Sequence, residues 1–234
     1  MVTWNNAVPE ASKQFDAKRE ALLREAAATF NRSGFHGTSL EEIARKLGVT
    51  KAALYTYVSS KQDLLYYCHA AAMDTAVECL NEARAMKVSG LKKLTALLQK
   101  YLALMLGENT YVILLEENAM KPLHVREIVK RRDAFERGLR DFVDEGIADG
   151  SIVPCNSKLA VFVALGALNW GRKWYSARGD WTGPQISVAL TQMIERSLAS
   201  QPVSEMVVDP SKIEAPPATE APIPVMRMGR SRPA

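Results

Sequence analysis

The chain has 234 residues, 47% of them hydrophobic and 24% charged, with a formal net charge of +4. That length buries a sizeable core in one or two domains, and the composition excludes collagen-like and wholly disordered chains. The mild positive balance permits an anionic partner without demanding one. No apolar run reaches 18 residues, so no membrane-spanning helix is expected. The start, with Trp4, Asn5, Asn6 and Glu10, lacks the basic-then-apolar layout of a secretory signal, so a cytoplasmic protein is expected. Cys68, Cys79 and Cys155 have no metal-ligand spacing and read as reduced, buried thiols.

Residues 1–14 are polar and irregular and are expected to form a mobile arm. From Asp16 to Ala199 the pattern is helical, with no period-2 strand, so the fold class is all-α with about nine helices. The first helix is expected over Asp16–Arg32. Leu22, Ala26 and Phe30 recur at i, i+4 and i+8, and Gly34 stops the helix. Thr38-Ser39-Leu40-Glu41 reads as a capping box in which Thr38 accepts from the Glu41 amide. The helix it starts runs from Ser39 to Leu47, buries Leu40, Ile43 and Ala44, and ends at Gly48. Val49 is expected to plug the turn. Thr50 then caps a third helix, Lys51 to about Tyr57, which is helix-turn-helix spacing.

The third helix has little bulk near its start, at Ala52 and Ala53. Small side chains let its backbone enter a major groove, where alanine methyls can touch thymine methyls. Lys51, Tyr55, Thr56 and Tyr57 offer ammonium and hydroxyl groups suited to phosphate oxygens. Ser60 and Lys61 open a fourth helix whose N-terminal end favours a phosphate, and Asp63 completes a second capping box. A plain three-helix packing module stays open on these residues alone. Between 15 and 67, eight Lys or Arg face six Asp or Glu, a modest excess.

The stretch from Ala26 to Leu65, AAATFNRSGFHGTSLEEIARKLGVTKAALYTYVSSKQDLL, closely resembles the N-terminal domain of the TetR family of repressors. The matching marks are Phe30, Gly34, Thr38-Ser39, Ile43-Ala44, Gly48-Val49, Leu54-Tyr55, Tyr57, Lys61 and Leu64. The resemblance implies a DNA-binding domain over 15–62, with Thr38, Ser39, Thr50, Lys51, Ala52, Ala53, Tyr55, Tyr57 and Lys61 at or beside the duplex. Val58 departs from the aromatic that the family usually carries there.

The fourth helix is expected to reach about Met86. Later helices are expected at 90–106, 108–119, 122–149, 157–177 and 184–199, separated by Gly90, Gly107, Pro122, Gly150, Pro154, Gly183 and Pro184. Residues 159–175 are apolar on most faces and need cover on every side. With the wide apolar face of the last helix they resemble the four-helix dimer seam of the TetR family. Phe162, Leu165, Ile186, Leu190, Met193 and Ile194 are its expected members, in an effector-binding and dimerisation domain over 63–200.

The segment from Leu168 to Trp181, LNWGRKWYSARGDW, looks like a subset of the family that governs fatty-acid, steroid or coenzyme-A-linked catabolism. The resemblance implies a small-molecule effector. An acyl-CoA thioester, another mostly apolar molecule and no ligand at all remain open. Candidate contacts are Leu104, Ile113, Met120, Arg131, Asn169, Trp170, Lys173 and Trp174.

Beyond Gln201 lie seven of the eleven prolines and a basic end with Arg227, Arg230 and Arg232, read as a disordered tail over 201–234. His36, His69 and His124 are scattered, Arg137 is placed to pair with Asp141 on one helix, and no phosphate loop or nucleophile elbow is present. No metal, cofactor or enzymatic activity is expected. The expectation is a homodimeric, ligand-responsive repressor of a palindromic double-stranded operator. The alternative is a DNA-binding protein that answers to a protein partner or to no effector.

Overall fold

The computed structural model describes residues 10–107, 117–176, 178–203 and 209–213. Among them are eight α-helices: α1 (Glu10–Ser33), α2 (Leu40–Lys46), α3 (Lys51–Leu54), α4 (Lys61–Ala85), α5 (Gly90–Leu106), α6 (Pro122–Ala148), α7 (Ser157–Trp174) and α8 (Gly183–Leu198). Two short 3-10 turns, Glu117–Ala119 and Pro210–Lys212, complete the elements. No strand occurs among the described residues; a single antiparallel bridge joins Ile152 to Ala199. The fold is all-α, as its periodicity predicts. α1 begins six residues earlier than expected, at Glu10. Of the helix expected over 108–119, residues 108–116 lie outside the described residues.

The chain divides into two compact units. The first holds residues 10–74 and 117–128. Its core is the apolar stripe of α1 (Leu22, Leu23, Ala26, Ala27 and Phe30, none more than 1% exposed), with Ile43, Ala44, Leu54, Leu64 and Leu65. α1 stops at Gly34, whose φ of 69° is a left-handed conformation that glycine adopts without a Cβ penalty. Gly48, at φ 67°, ends α2 in the same way.

The start of α2 differs from the expected capping box. Ser39 is the cap, and its hydroxyl accepts from the Glu42 amide at 3.1 Å. Thr38 is buried, and its hydroxyl donates to the Gly34 carbonyl at 2.8 Å. Val49 stands 44% exposed rather than plugging the turn. Thr50 does cap α3, accepting from the Ala53 amide at 3.2 Å. The regular helix is only Lys51–Leu54, and turns carry the chain on through Tyr57. Val58, which stands where the resembling family usually carries an aromatic, is buried.

The second unit holds residues 75–107, 129–203 and 209–213. α5 is its centre, with Leu94, Leu97, Leu98, Leu102 and Met105 almost wholly buried. α7 has two opposite faces. Val161, Ala164 and Leu168 are buried, whereas Leu159, Phe162, Val163, Trp170 and Trp174 are between 46% and 69% exposed. The last described segment turns back: Gln185 Nε2, near the start of α8, donates to the carbonyls of Ser211 and Ile213, both at 3.3 Å. Residues 209–213 therefore hold a defined place beside α8; 204–208 and 214–234 lie outside the described residues. Cys68 and Cys79 are buried and Cys155 is exposed, where three buried thiols were expected.

Candidate nucleic-acid interface

The turn from Gly48 to Thr50 and the body of α3 place a short helix at the surface of the first unit. Ser39, Thr50, Lys51, Ala52, Tyr55 and Thr56 are exposed, while Ala53 and Tyr57 are half-buried. Leu54 alone of α3 is buried, and it anchors the helix from beneath. Tyr55 is 50% exposed, close in sequence to the two alanines. Tyr57 is partly covered by Phe15 of α1, ring centre to ring centre 4.7 Å. What results is a low-relief helix face with small side chains in the middle and polar groups at its rim, a shape that suits a groove about 12 Å wide.

Charges around this face are largely matched. Lys51 forms an ion pair with Glu41 at the start of α2, and its ammonium lies 5.9 Å from the Tyr55 ring centre. Their mutual hydrogen bond lowers the Glu41 carboxyl from its ordinary value and raises the Lys51 ammonium. Lys46 is shared between Glu25 and Glu42, both at 3.2 Å, and donates to Thr29 Oγ1 at 2.9 Å. Arg45 is exposed and makes no ion pair among the described residues.

Two expected phosphate contacts are occupied internally. Lys61 Nζ donates to the carbonyls of Phe35 and Thr38, both at 2.8 Å, and sits 4.2 Å above the Phe35 ring. Thr38 is enclosed, as described above. Both residues fix the loop that leads into α2 instead of standing free beside a duplex.

The start of α4 is tied to the start of α6 within the same unit. Ser60 Oγ accepts from the Asp63 amide at 3.1 Å and donates to Asp63 Oδ2 at 2.7 Å. Lys121 Nζ reaches Asp63 Oδ1 at 2.7 Å, and His124 Nδ1 lies 3.8 Å from the same oxygen. The His124 ring stacks on Tyr66 with centres 4.1 Å apart. Gln62 Nε2 donates to the Ala119 carbonyl at 3.0 Å. Burial alone would raise the Asp63 carboxyl, but the hydrogen bonds from Lys121 and Ser60 outweigh it and hold it below its ordinary value.

In the second unit the expected sets are redistributed. Ile186 and Ile194, expected at a dimer seam, are 3% and 7% exposed and belong to the core of their own subunit. Leu165 and Leu190 are half-buried; Phe162 and Met193 are exposed. Asn169, Trp170, Lys173 and Trp174, expected at an effector, are all on the exposed side of α7. Leu104 and Arg131 are half-buried, Met120 is buried in the first unit, and Ile113 lies outside the described residues. Arg137 is not the partner of Asp141, which pairs with Arg84 at 3.5 Å. Within the segment expected to need cover on every side, the exposed positions Leu159, Val163, Gly166, Trp170 and Trp174 repeat at 4, 3, 4 and 4 residues, one helical stripe. Beside this stripe an apolar groove of about 350 Å³ is lined by Leu159, Ala160, Val163, Ala164, Ile194 and Leu198.

Two family models match successive parts of the chain: "Bacterial regulatory proteins, tetR family" over residues 22–68, and "Tetracyclin repressor-like, C-terminal domain" over residues 87–198. The chain belongs to the TetR family. The first TetR match covers the whole helix-turn-helix, from the core stripe of α1 to the first turns of α4, and the second covers the helical body. Both families are of regulatory proteins rather than enzymes. Over 53 residues the chain is 47% identical to the HTH-type transcriptional regulator RutR of Escherichia coli K12, covering 23% of this chain and 25% of that one. The match thus spans a quarter of that relative's length. The fatty acid metabolism regulator protein of Bacillus subtilis 168 is 25% identical over 145 residues, 60% of this chain and 73% of its own. The fold also matches that of AibR, solved in complex with isovaleryl coenzyme A and operator DNA, with a TM-score of 0.66 at 24% identity, over 78% of this chain and 98% of the other. No helix of the described residues is long and apolar enough to cross a membrane.

Proposed function

We propose that this TetR-family protein is a homodimeric repressor that binds a palindromic operator through α3 and leaves it when a small, mostly apolar effector binds. The observation that carries the DNA reading is the outward face of α3: Lys51, Ala52 and Tyr55 exposed over a buried Leu54. Ala52 and Ala53 meet the groove floor, and Thr50, Lys51, Tyr55 and Tyr57 meet its phosphate walls. Ser39 is exposed at the adjoining start of α2 and completes the contact. Thr38 and Lys61 act from behind, by fixing the loop.

A single helix of this length makes few base contacts, and two-fold pairing doubles them across half-sites about one helical turn apart. The stripe of Leu159, Phe162, Val163, Trp170 and Trp174, with Met193 of α8, supports a second copy as the cover. An apolar strip of that extent is costly to leave in water. Gly166 lies on it with nothing within 4 Å of where a Cβ would stand, so two such helices can approach closely.

For the effector, an acyl-CoA thioester is the favoured class. Support comes from the fatty acid regulator and from the isovaleryl coenzyme A complex of a protein with the same fold. Effector and operator oppose one another through the free energy that couples their sites, typically ~1 to 3 kcal/mol, which weakens operator binding by roughly 5- to 150-fold.

A mobility-shift titration on the DNA upstream of its own gene tests the whole reading. Retardation by dimer, reversed by isovaleryl-CoA or a longer acyl-CoA but not by coenzyme A alone, is the expected result. Absence of any shift at low salt would sink it.

A further inference from the structure

Glu41 lies in the first turn of α2, where a carboxylate suits the helix end, but it is not the cap. The α2 cap is Ser39, and the amide it satisfies is that of Glu42. Glu42 and Glu25 are committed to Lys46 and Asp63 to Lys121, at sites where the carboxylates are 10% to 27% exposed. The Glu41 carboxylate is different, 59% exposed, and it reaches across to the 43% exposed side chain of Lys51 on α3. Exposed pairs of this kind contribute little to stability. Their weight falls on what the lysine does next.

Lys51 is the first residue of α3, on the side that faces a phosphate in the DNA reading. A lysine already neutralised by a carboxylate has less to gain from a phosphate and releases fewer counterions when it meets one. Where no base contacts form, phosphate contacts supply essentially all of the affinity, and the loss of one is felt most directly there. We propose that Glu41 is an internal stand-in for a DNA phosphate, set against Lys51 so that duplex DNA without the right base sequence is bound less tightly. It competes with the DNA backbone for one lysine and so lowers the phosphate-driven part of the affinity. The proposal rests on the DNA-binding reading above.

The test uses the full chain and a fluorescently labelled, mixed-sequence duplex of about three helical turns, titrated by anisotropy across a series of salt concentrations. Glu41→Gln is expected to bind about 10-fold more tightly than wild type at low salt, with a log–log salt slope steeper by about 0.9. In a Lys51→Ala background the same change is expected to have no effect, because Glu41 acts through Lys51. Glu41→Gln binding equally or more weakly overturns the proposal, as does a gain that survives Lys51→Ala. Wild-type protein that ignores the duplex at every salt overturns the DNA reading along with it, and is told apart from those failures by that result alone.

Discussion

Lys61, the first residue of α4, is locked to Phe35 twice: its ammonium is 2.8 Å from the Phe35 carbonyl and 4.2 Å above the ring of the same residue. With the Thr38 carbonyl as second acceptor, the lysine ties the loop between α1 and α2 to the helix that follows the recognition helix. Lys61→Met keeps the aliphatic stem and removes the charge. It is expected to cost about 1 to 3 kcal/mol in a urea melt, since two loop carbonyls lose their donor. Its DNA salt slope should equal that of wild type. A slope flatter by about one unit would return Lys61 to a phosphate.

Tyr55 sets the opposite case. Its side chain is half exposed and packs no core, so Tyr55→Phe is expected to leave the melt unchanged. Loss of one hydroxyl contact should weaken binding by roughly 2- to 10-fold on cognate and mixed-sequence duplexes alike. A loss confined to the cognate sequence would make Tyr55 a base reader.

Asp63 supplies a pH dependence. Its carboxyl is held below its ordinary value in the folded protein, so it contributes stability that is complete above about pH 4 and is lost as pH falls through the lower folded value. Asp63→Asn is expected to reduce stability at neutral pH and to leave a shallower decline below about pH 4. Thermal melts of both proteins from neutral to acid pH check this. Identical acid declines would show that the Lys121 contact is worth nothing in solution.

Val163 tests the dimer. At 69% exposure it can become Arg without strain in the subunit, and Val163→Arg is expected to yield a folded monomer by sedimentation that no longer shifts operator DNA. Ile194→Arg, at a buried position, is expected to prevent folding instead. A Val163→Arg protein that stays dimeric would move the interface off the α7 stripe.

How far these features could be read in advance depends on where their physics resides. Helix limits are written in single residues: Gly34, Gly48, Thr50, Pro122 and the Gly183-Pro184 pair all mark breaks that the structure places within a few residues. The faces of α7 were harder. Val161, Ala164 and Leu168 are as apolar as Leu159, Val163 and Trp170, so periodicity identifies a helix apolar all round without saying which side is inside. Lys61 was illegible for another reason. Its acceptors are main-chain carbonyls, which every position carries, and only the path of the loop brings two of them to one ammonium.

Gly90 and Gly146 bring the start of α5 against the last turns of α6. A Cβ on Gly90 would fall 2.2 Å from the Gly146 nitrogen and 2.4 Å from the Phe142 carbonyl oxygen, and one on Gly146 would strike the Ile152 side chain. With main chain set on main chain, there is no cushion of side chains to deform, so the two helices cannot slide along each other at this crossing. A side chain larger than hydrogen at either glycine would therefore have to push the two helices apart, and the contact tolerates no such spacer.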